Sequence, residues 1–108
     1  MNPNSPRPDV SAALRDGASY IRSEHFMLRE VAGEALMVPL PSSGLPGNAM
    51  VMLNETSLFL LKLLAEPHTL AEVLEKAHEE YDDPEGQLET HIRDFITLHL
   101  KTRVIKEV

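Results

Sequence analysis

The chain has 108 residues, 43% of them apolar, which fits one domain with or without a tail. Its formal net charge is -7 with only 10 Lys and Arg, which argues against a nucleic-acid partner because phosphate backbones bind clustered cations. The absence of cysteine excludes disulfides and thiolate chemistry, and no apolar run resembles a signal peptide or a membrane span, so we expect a cytoplasmic protein without a membrane partner.

The N-terminal stretch MNPNSPRPD has three prolines and no apolar period. It predicts a flexible tail over residues 1–19, followed by a domain over residues 20–108. A short helical turn around Ser11 to Arg15 is compatible with the sequence and would end at Gly17.

The stretch HFMLREVAGEALMVPL places two apolar segments on either side of a turn at Gly33. Glycine adopts positive φ at little cost, so the pattern predicts a β-hairpin with strands near residues 26–31 and 34–40. Prolines then end the second strand, since proline cannot donate to a ladder. A loop over residues 41–48 leads to a third predicted strand over residues 49–53.

Two helices are predicted after the third strand from their capping residues. Asn54 is a preferred N-cap for a helix over residues 55–65. Thr69 and Glu72 form a capping box for a helix over residues 70–81.

A third helix is predicted to begin at Asp83-Pro84-Glu85, with proline in the first turn, and to end near Lys101. Residues 103–108 then form a short extended end. Strands followed by helices indicate an α+β fold, with a three-stranded antiparallel sheet against three helices. The predicted core includes Leu58, Leu61, Leu64, Leu74, Ile92 and Phe95.

The candidate chemical groups do not form a catalytic or metal-binding pattern. His91 and His99 lie about 12 Å apart along one helix, too far to share a metal ion. Carboxylates crowd residues 75–85, which we interpret as a solvated acidic face, with a docking patch for a basic partner as the alternative. We therefore predict no catalytic residue, no metal, no cofactor and no enzymatic activity.

The third strand is unusual because Met50, Val51, Met52 and Leu53 are apolar on both of its faces. One interpretation is that both faces are buried. The other is an edge strand that accepts a further strand from a peptide, with backbone hydrogen bonds giving affinity and side-chain pockets giving specificity. Methionine suits such a surface because its side chain is flexible.

Four stretches in this order resemble the PqqD family of coenzyme PQQ synthesis: FMLREVAGEALMVPL, VMLNETSLFLLKLL, TLAEVLEKAHEEYD and LETHIRDFITLHLKTRVI. The most specific piece is LNET, followed by an apolar helix. The resemblance implies a small winged-helix-like fold of three strands followed by three helices. It also implies the activity of a RiPP recognition element: binding the leader segment of a ribosomally synthesised precursor peptide and presenting it to a modifying enzyme, commonly a radical SAM protein.

By this resemblance the leader would add as a strand beside the third strand, in a groove between that strand and the third helix. The predicted peptide-binding residues are Ala49, Met50, Val51, Met52, Leu53, Leu88, His91, Ile92 and Phe95. The chain departs from the family pattern at three positions: Ser57 stands where a glycine is common, Leu61 where an aromatic residue is common, and Arg103 where a glycine usually precedes the last apolar pair.

Two alternatives remain open at the level of sequence. The fold also occurs in winged-helix DNA-binding regulators, against which the acidic charge and the lack of a basic helix face argue. A diverged interaction subunit without leader binding is the second alternative. An exposed strand edge is compatible with either a monomer or a homodimer.

Overall fold

The computed structural model describes Leu14 and residues 17–108. In this part of the chain the elements are β1 (Ser19–Arg22), β2 (Phe26–Val31), β3 (Glu34–Pro39), β4 (Val51–Leu53), α1 (Glu55–Leu63), β5 (His68–Thr69), α2 (Leu70–Glu80), α3 (Leu88–Lys101) and β6 (Ile105–Glu107). The predicted α+β fold, three antiparallel strands followed by three helices, is confirmed. The predicted tail over residues 1–19 and the turn around Ser11 to Arg15 fall almost entirely outside the described residues.

The predicted hairpin forms β2 and β3, and β4 pairs with β3 to complete an antiparallel sheet in the order β2-β3-β4. Ala32 and Gly33 have φ values of 53° and 83°. Two successive residues with positive φ form the tight turn whose twist matches that of the flanking strands. β4 begins at Val51 rather than at Ala49, because Ala49 N–H still donates to the carbonyl of Pro46 at 3.0 Å and keeps the chain in a turn.

A second antiparallel sheet, in the order β5-β1-β6, was not predicted beyond the extended C-terminal end. Its central strand β1 buries Tyr20 completely. Arg22 connects this sheet to the end of α1: its backbone N–H donates to the carbonyl of Leu64 at 2.7 Å, and its Nη1 donates to the carbonyl of Leu61 at 3.0 Å. These bonds satisfy carbonyls that a helix end leaves without a partner.

The predicted caps of the first two helices are confirmed. Ser57 N–H donates to Oδ1 of Asn54 at 2.8 Å. Glu72 N–H donates to Oγ1 of Thr69 at 3.1 Å, and Thr69 N–H donates back to Oε1 of Glu72 at 2.9 Å, so both halves of the capping box are present.

The predicted start of the third helix at Asp83-Pro84-Glu85 is wrong, since α3 begins at Leu88. Gly86 has a φ of 68°, a left-handed conformation that interrupts any helical path through this segment. Asp83 nevertheless serves the helix, because its Oδ1 accepts from N–H of Gln87 at 2.9 Å and of Leu88 at 3.2 Å. The carboxylate thus caps α3 from the far side of a turn, where it also favours the positive end of the helix dipole.

The core lies between the two sheets and the three helices. Of the predicted core residues, Leu61, Leu64 and Ile92 are fully buried. Leu74 and Phe95 pack against the core but stay partly exposed, and Leu58 lies outside it. The prediction is wrong for Leu58, and it omitted the buried Leu60 of α1 and Val73 and Ala77 of α2. The whole buried apolar cluster comprises Leu14, Tyr20, Phe26, Met37, Leu60, Leu61, Leu64, Val73, Ala77, Ile92, Ile96, Val104 and Ile105.

Among the described residues, none of the helices has the length and apolarity needed to cross a bilayer.

Candidate functional site

The strand β4 is an edge strand. It pairs with β3 on one side, with Met37 opposite Val51 and Leu36 opposite Met52, and no other described strand pairs with its second side. Such an edge presents unpaired N–H and C=O groups to a partner. The interpretation that both faces of this strand are buried is wrong, because Met52 is 59% exposed while Val51 packs against the core.

The helix α3 carries two stripes of different character. Ile92 and Ile96 are fully buried on the core side. His91 and Leu98 lie on a neighbouring, exposed face, and Leu98 is 53% exposed although it is apolar. Phe95 lies between the two stripes and is partly buried. An apolar stripe that the core does not cover marks a surface suited to a partner.

Two cavities follow this exposed face of α3, and we call them together the groove. The α1–α3 cavity has a volume of about 420 Å³ and is lined by Asn54, Thr56, Ser57, Leu60, His91, Ile92, Asp94, Phe95 and Leu98. The β4–α3 cavity has a volume of about 490 Å³ and is lined by Phe26, Leu45, Ala49, Val51, Lys101, Thr102, Arg103 and Val104. The two cavities share no lining residue, but their α3 residues follow one another along the helix, on the side that also includes residues of β4 and of the start of α1.

The structure distributes the predicted site residues over several places. His91, Ile92 and Phe95 line the α1–α3 cavity, and Ala49 and Val51 line the β4–α3 cavity.

The remaining predicted residues do not line the groove. Leu88 lies at a smaller acidic depression of about 230 Å³ near the start of α3, which His91 of the groove also borders. Met50 and Met52 are exposed and, like Leu53, line none of the three cavities. The outward face of β4 thus belongs to the open side of the sheet, and it is the core-packed Val51 that reaches a cavity.

Several groove residues were missed from the sequence. Leu98 follows Phe95 by three positions and His91 by seven, so the helical period alone could have placed it on their face. Asn54 was predicted as a cap, and it lines the α1–α3 cavity as well. Arg103 has no such signal, because it lies beyond the end of α3.

The wall of the groove is supported by a buried histidine. His99 is 6% exposed, its ring lies 4.5 Å from that of Phe95 between centroids, and its Nδ1 lies 3.2 Å from Oγ1 of Thr102. Burial lowers the pKa of His99 below its ordinary value, because the surroundings disfavour the charged imidazolium. The support beneath Phe95 is therefore uncharged at neutral pH.

The described residues include no group of His, Asp and Glu side chains arranged to hold a metal ion. The carboxylates of α2 are exposed along its solvent side, including Glu75 and Glu79. What the site offers is therefore an unpaired strand edge, two partly apolar cavities and a helix face.

A search of curated proteins and a search of solved structures found no match to the chain. The family model described as coenzyme PQQ synthesis protein D (PqqD) matches residues 23–105. That range contains β2 to α3 and every residue that lines the groove. On this match over most of its length, the chain belongs to the PqqD family.

Proposed function

We propose that this protein is a non-catalytic adaptor that binds the leader segment of a ribosomally synthesised precursor peptide and presents it to a modifying enzyme of the radical SAM class. Family membership supports the coarser part of this proposal, a peptide-binding accessory protein of PQQ-type synthesis. The observation that carries the finer part is the unpaired edge of β4 beside the groove along α3.

An extended peptide fits this arrangement better than a compact small molecule. The edge of β4 (Val51–Leu53) spans roughly 10 Å at about 3.3 Å per residue, so a peptide of about three residues could pair along it. The two cavities lie towards opposite ends of that stretch, since one includes Ala49 and the other includes Asn54. Backbone pairing would then give affinity, and side chains entering the cavities would give specificity.

Asn54 adds a polar contact at one end of the groove. Its Oδ1 accepts from Ser57 N–H and is committed to the helix cap. Its amide nitrogen has no hydrogen-bond partner among the described residues, so it is available to donate to a peptide carbonyl.

The DNA-binding alternative finds little support in α3, the helix that would enter a groove of the duplex. Its Arg93 is engaged by Glu89 at 2.8 Å, and the whole chain has a formal net charge of -7. A titration with duplex DNA at low salt is the direct check, because electrostatic binding is strongest under that condition.

The proposal is tested by titrating ¹⁵N-labelled protein with the leader of a short precursor encoded beside its gene. We expect amide shifts at residues 49–53 and on the exposed face of α3. Val51→Pro removes one backbone donor from β4 and restricts the chain, so it should weaken binding more than Glu79→Ala on the acidic face of α2. Leu98→Ser is a second groove variant, which leaves the sheet intact because Leu98 is half-exposed on a helix.

Shifts confined to residues 75–85 would overturn the groove assignment and identify the acidic face as the docking surface. Absence of any leader binding, with an intact spectrum, would overturn the proposed function and favour a diverged interaction subunit. Presentation is tested separately, by asking whether a candidate radical SAM enzyme co-elutes with the protein and the leader as one complex.

A further inference from the structure

Arg103 has a backbone conformation that is unfavourable for a residue with a side chain. Its φ is 70°, in the left-handed region, where a side chain crowds the backbone and glycine does not. Four glycines of the described chain take positive φ, and the other non-glycine residue that does so, Ala32, lies in the hairpin turn that requires it. A strained residue that persists where glycine would be unstrained points to a use for its side chain.

The side chain of Arg103 is also without a charged partner. Arg103 and Lys101 both line the β4–α3 cavity and both are exposed. Among the described residues neither forms an ion pair, whereas Lys62, Arg93 and Lys106 each pair with a glutamate. In a chain with 17 acidic residues and 10 basic ones, two unpaired cations beside one cavity are a local reversal of the overall charge.

The end of α3 explains why a cation lies at position 101, but it does not explain the one at position 103. Lys101 lies in the last turn of α3, where a cation stabilises the negative end of the helix dipole. A lysine in the last turn gains this without any residue in a left-handed conformation after it. A left-handed residue after the last turn is a common way for a helix to end, and Arg103 N–H donates to the carbonyl of Leu100 at 3.3 Å. What the helix end leaves unexplained is an arginine, where glycine would be unstrained, at this position.

The lining of the cavity indicates what it accepts. Its inner part includes Phe26 and Val104, which are buried, and Val51, which is half-buried. The two cations lie at the same cavity. An apolar interior with cations beside it fits a side chain with an apolar stem and a carboxylate end, because the stem is removed from water while the charge meets its complement.

We propose that Arg103, assisted by Lys101, is a specificity-determining residue that selects a peptide with an acidic side chain at the position passing Ala49 and Val51. This inference rests on the proposed function and goes beyond it, because it names the chemistry that the peptide must carry at one position. Arginine suits this role since its planar fork meets a carboxylate with two donors.

The test begins with a phage-displayed library of random 12-residue peptides selected on the full chain. The wild-type protein should enrich Asp or Glu at one fixed position relative to apolar neighbours, and protein carrying Arg103→Glu should lose that enrichment. The strongest wild-type peptide is then synthesised with its acidic residue intact, as the neutral amide analogue and as the Lys analogue. Affinity is measured for each at two salt concentrations.

Arg103→Gly is the central variant because it removes the cation and relieves the backbone strain together. We expect it to melt no lower than the wild type and to bind the acidic peptide roughly two- to fivefold more weakly, the range of a partly exposed ion pair. It should bind the neutral analogue as the wild type does. Arg103→Lys should bind between Arg103→Gly and the wild type, because lysine keeps the charge but not the two-donor fork, and Arg103→Glu should prefer the Lys analogue.

The outcomes separate this inference from the proposed function. If peptides bind with shifts at residues 49–53 but Arg103→Gly weakens the acidic and neutral peptides equally, the selection of an acidic side chain is overturned and peptide binding stands. Selected peptides without acidic enrichment would overturn it in the same way. If neither the library nor the precursor leader yields binding to the wild-type protein, the proposed function falls and this inference falls with it.

Discussion

Asn54 joins β4 to α1, and its two polar atoms have different tasks. Its Oδ1 accepts from Ser57 N–H at 2.8 Å, which satisfies one of the donors that a helix start leaves unpaired. Its amide nitrogen is free to contact a bound peptide, because Asn54 also lines the α1–α3 cavity. A single residue thus belongs both to the stability of the helix and to the candidate site.

Two substitutions separate these tasks. Asn54→Ala removes the cap acceptor and should lower the free energy of unfolding by about 0.5–2 kcal/mol in urea denaturation. Asn54→Asp keeps an acceptor of similar capping strength and should unfold close to the wild type. If Asn54→Asp proved as destabilising as Asn54→Ala, the cap would not be the source of the effect.

His99 makes stability depend on pH in a definite direction. Because burial holds its pKa below the ordinary value, the unfolded chain takes up a proton at a higher pH than the folded protein does. As the pH falls below about 6.5, the ordinary value for histidine, the unfolded state binds more protons and the free energy of unfolding decreases. Above that pH the free energy of unfolding carries no such loss from His99.

The prediction is a comparison of unfolding curves between pH 7.5 and 5.5. His99→Gln should flatten the loss of stability on acidification, because glutamine has no proton to gain in this range. His78→Gln, at an exposed position on α2, is the matched control and should keep the wild-type slope. Parallel pH curves for the wild type and His99→Gln would show that other groups produce the acid sensitivity.

At the scale of elements, α3 serves the core with one stripe and the groove with another. None of the surface of Ile92 is accessible to solvent, whereas Leu98 is 53% exposed. Side chains that differ by nearly two turns on one helix therefore have separable effects.

Ile92→Ala should lower the free energy of unfolding by about 2–5 kcal/mol, because it leaves a cavity in a packed core. Leu98→Ala should change it by less than about 0.5 kcal/mol, as surface substitutions do, and should weaken peptide binding. Urea denaturation and peptide titration on both variants give the comparison. Equal destabilisation by Ile92→Ala and Leu98→Ala would mean that Leu98 is part of the core and not of the exposed face of α3.

The elements that the sequence alone predicts well are those with local signals. The hairpin follows from Gly33 and its alternating flanks, and the first two helices follow from Asn54 and the Thr69–Glu72 box. The start of α3 was misplaced because the signal of Pro84 was local too, and the left-handed Gly86 overrode it. The strand β1 gave no usable signal, since its partners at residues 68–69 and 105–107 are distant in sequence.

The candidate site likewise has residues that the sequence predicts and residues that it does not. The α3 side, with His91 and Phe95, followed from helical period together with the family resemblance. The place of Arg103 at the β4–α3 cavity could not be predicted in this way, because its left-handed conformation depends on how the chain leaves α3 and enters β6. No periodic pattern encodes such a backbone turn.

At the scale of the whole molecule, the two sheets have unequal roles. The sheet β2-β3-β4 supplies the edge beside the groove, while the sheet β5-β1-β6 closes the core around Tyr20. Its strand β1 also holds the carbonyls of Leu61 and Leu64 through Arg22. The family match begins at residue 23 and so leaves this strand out.

A fragment limited to residues 23–105 should therefore be largely unfolded. It lacks the central strand of one sheet and a fully buried tyrosine, and large aromatic truncations in a core cost about 3–5 kcal/mol by themselves. Amide dispersion in a ¹⁵N correlation spectrum is the measurement, with a fragment of residues 14–108 as the control that keeps both β1 and the buried Leu14. A well-dispersed spectrum for the shorter fragment would contradict the role given to β1.

The pairing of β1 with β6 also brings the two ends of the folded unit together. Val108 N–H donates to the carbonyl of Ser19 at 2.8 Å, so the first strand and the last residue are direct neighbours. A fold whose ends meet can be inserted into a surface loop of a host protein without separating the strands on either side of the insertion point. The same proximity permits circular permutation, with a link from Val108 that leads back to the segment of the buried Leu14 and with new ends in the exposed stretch at residues 46–48.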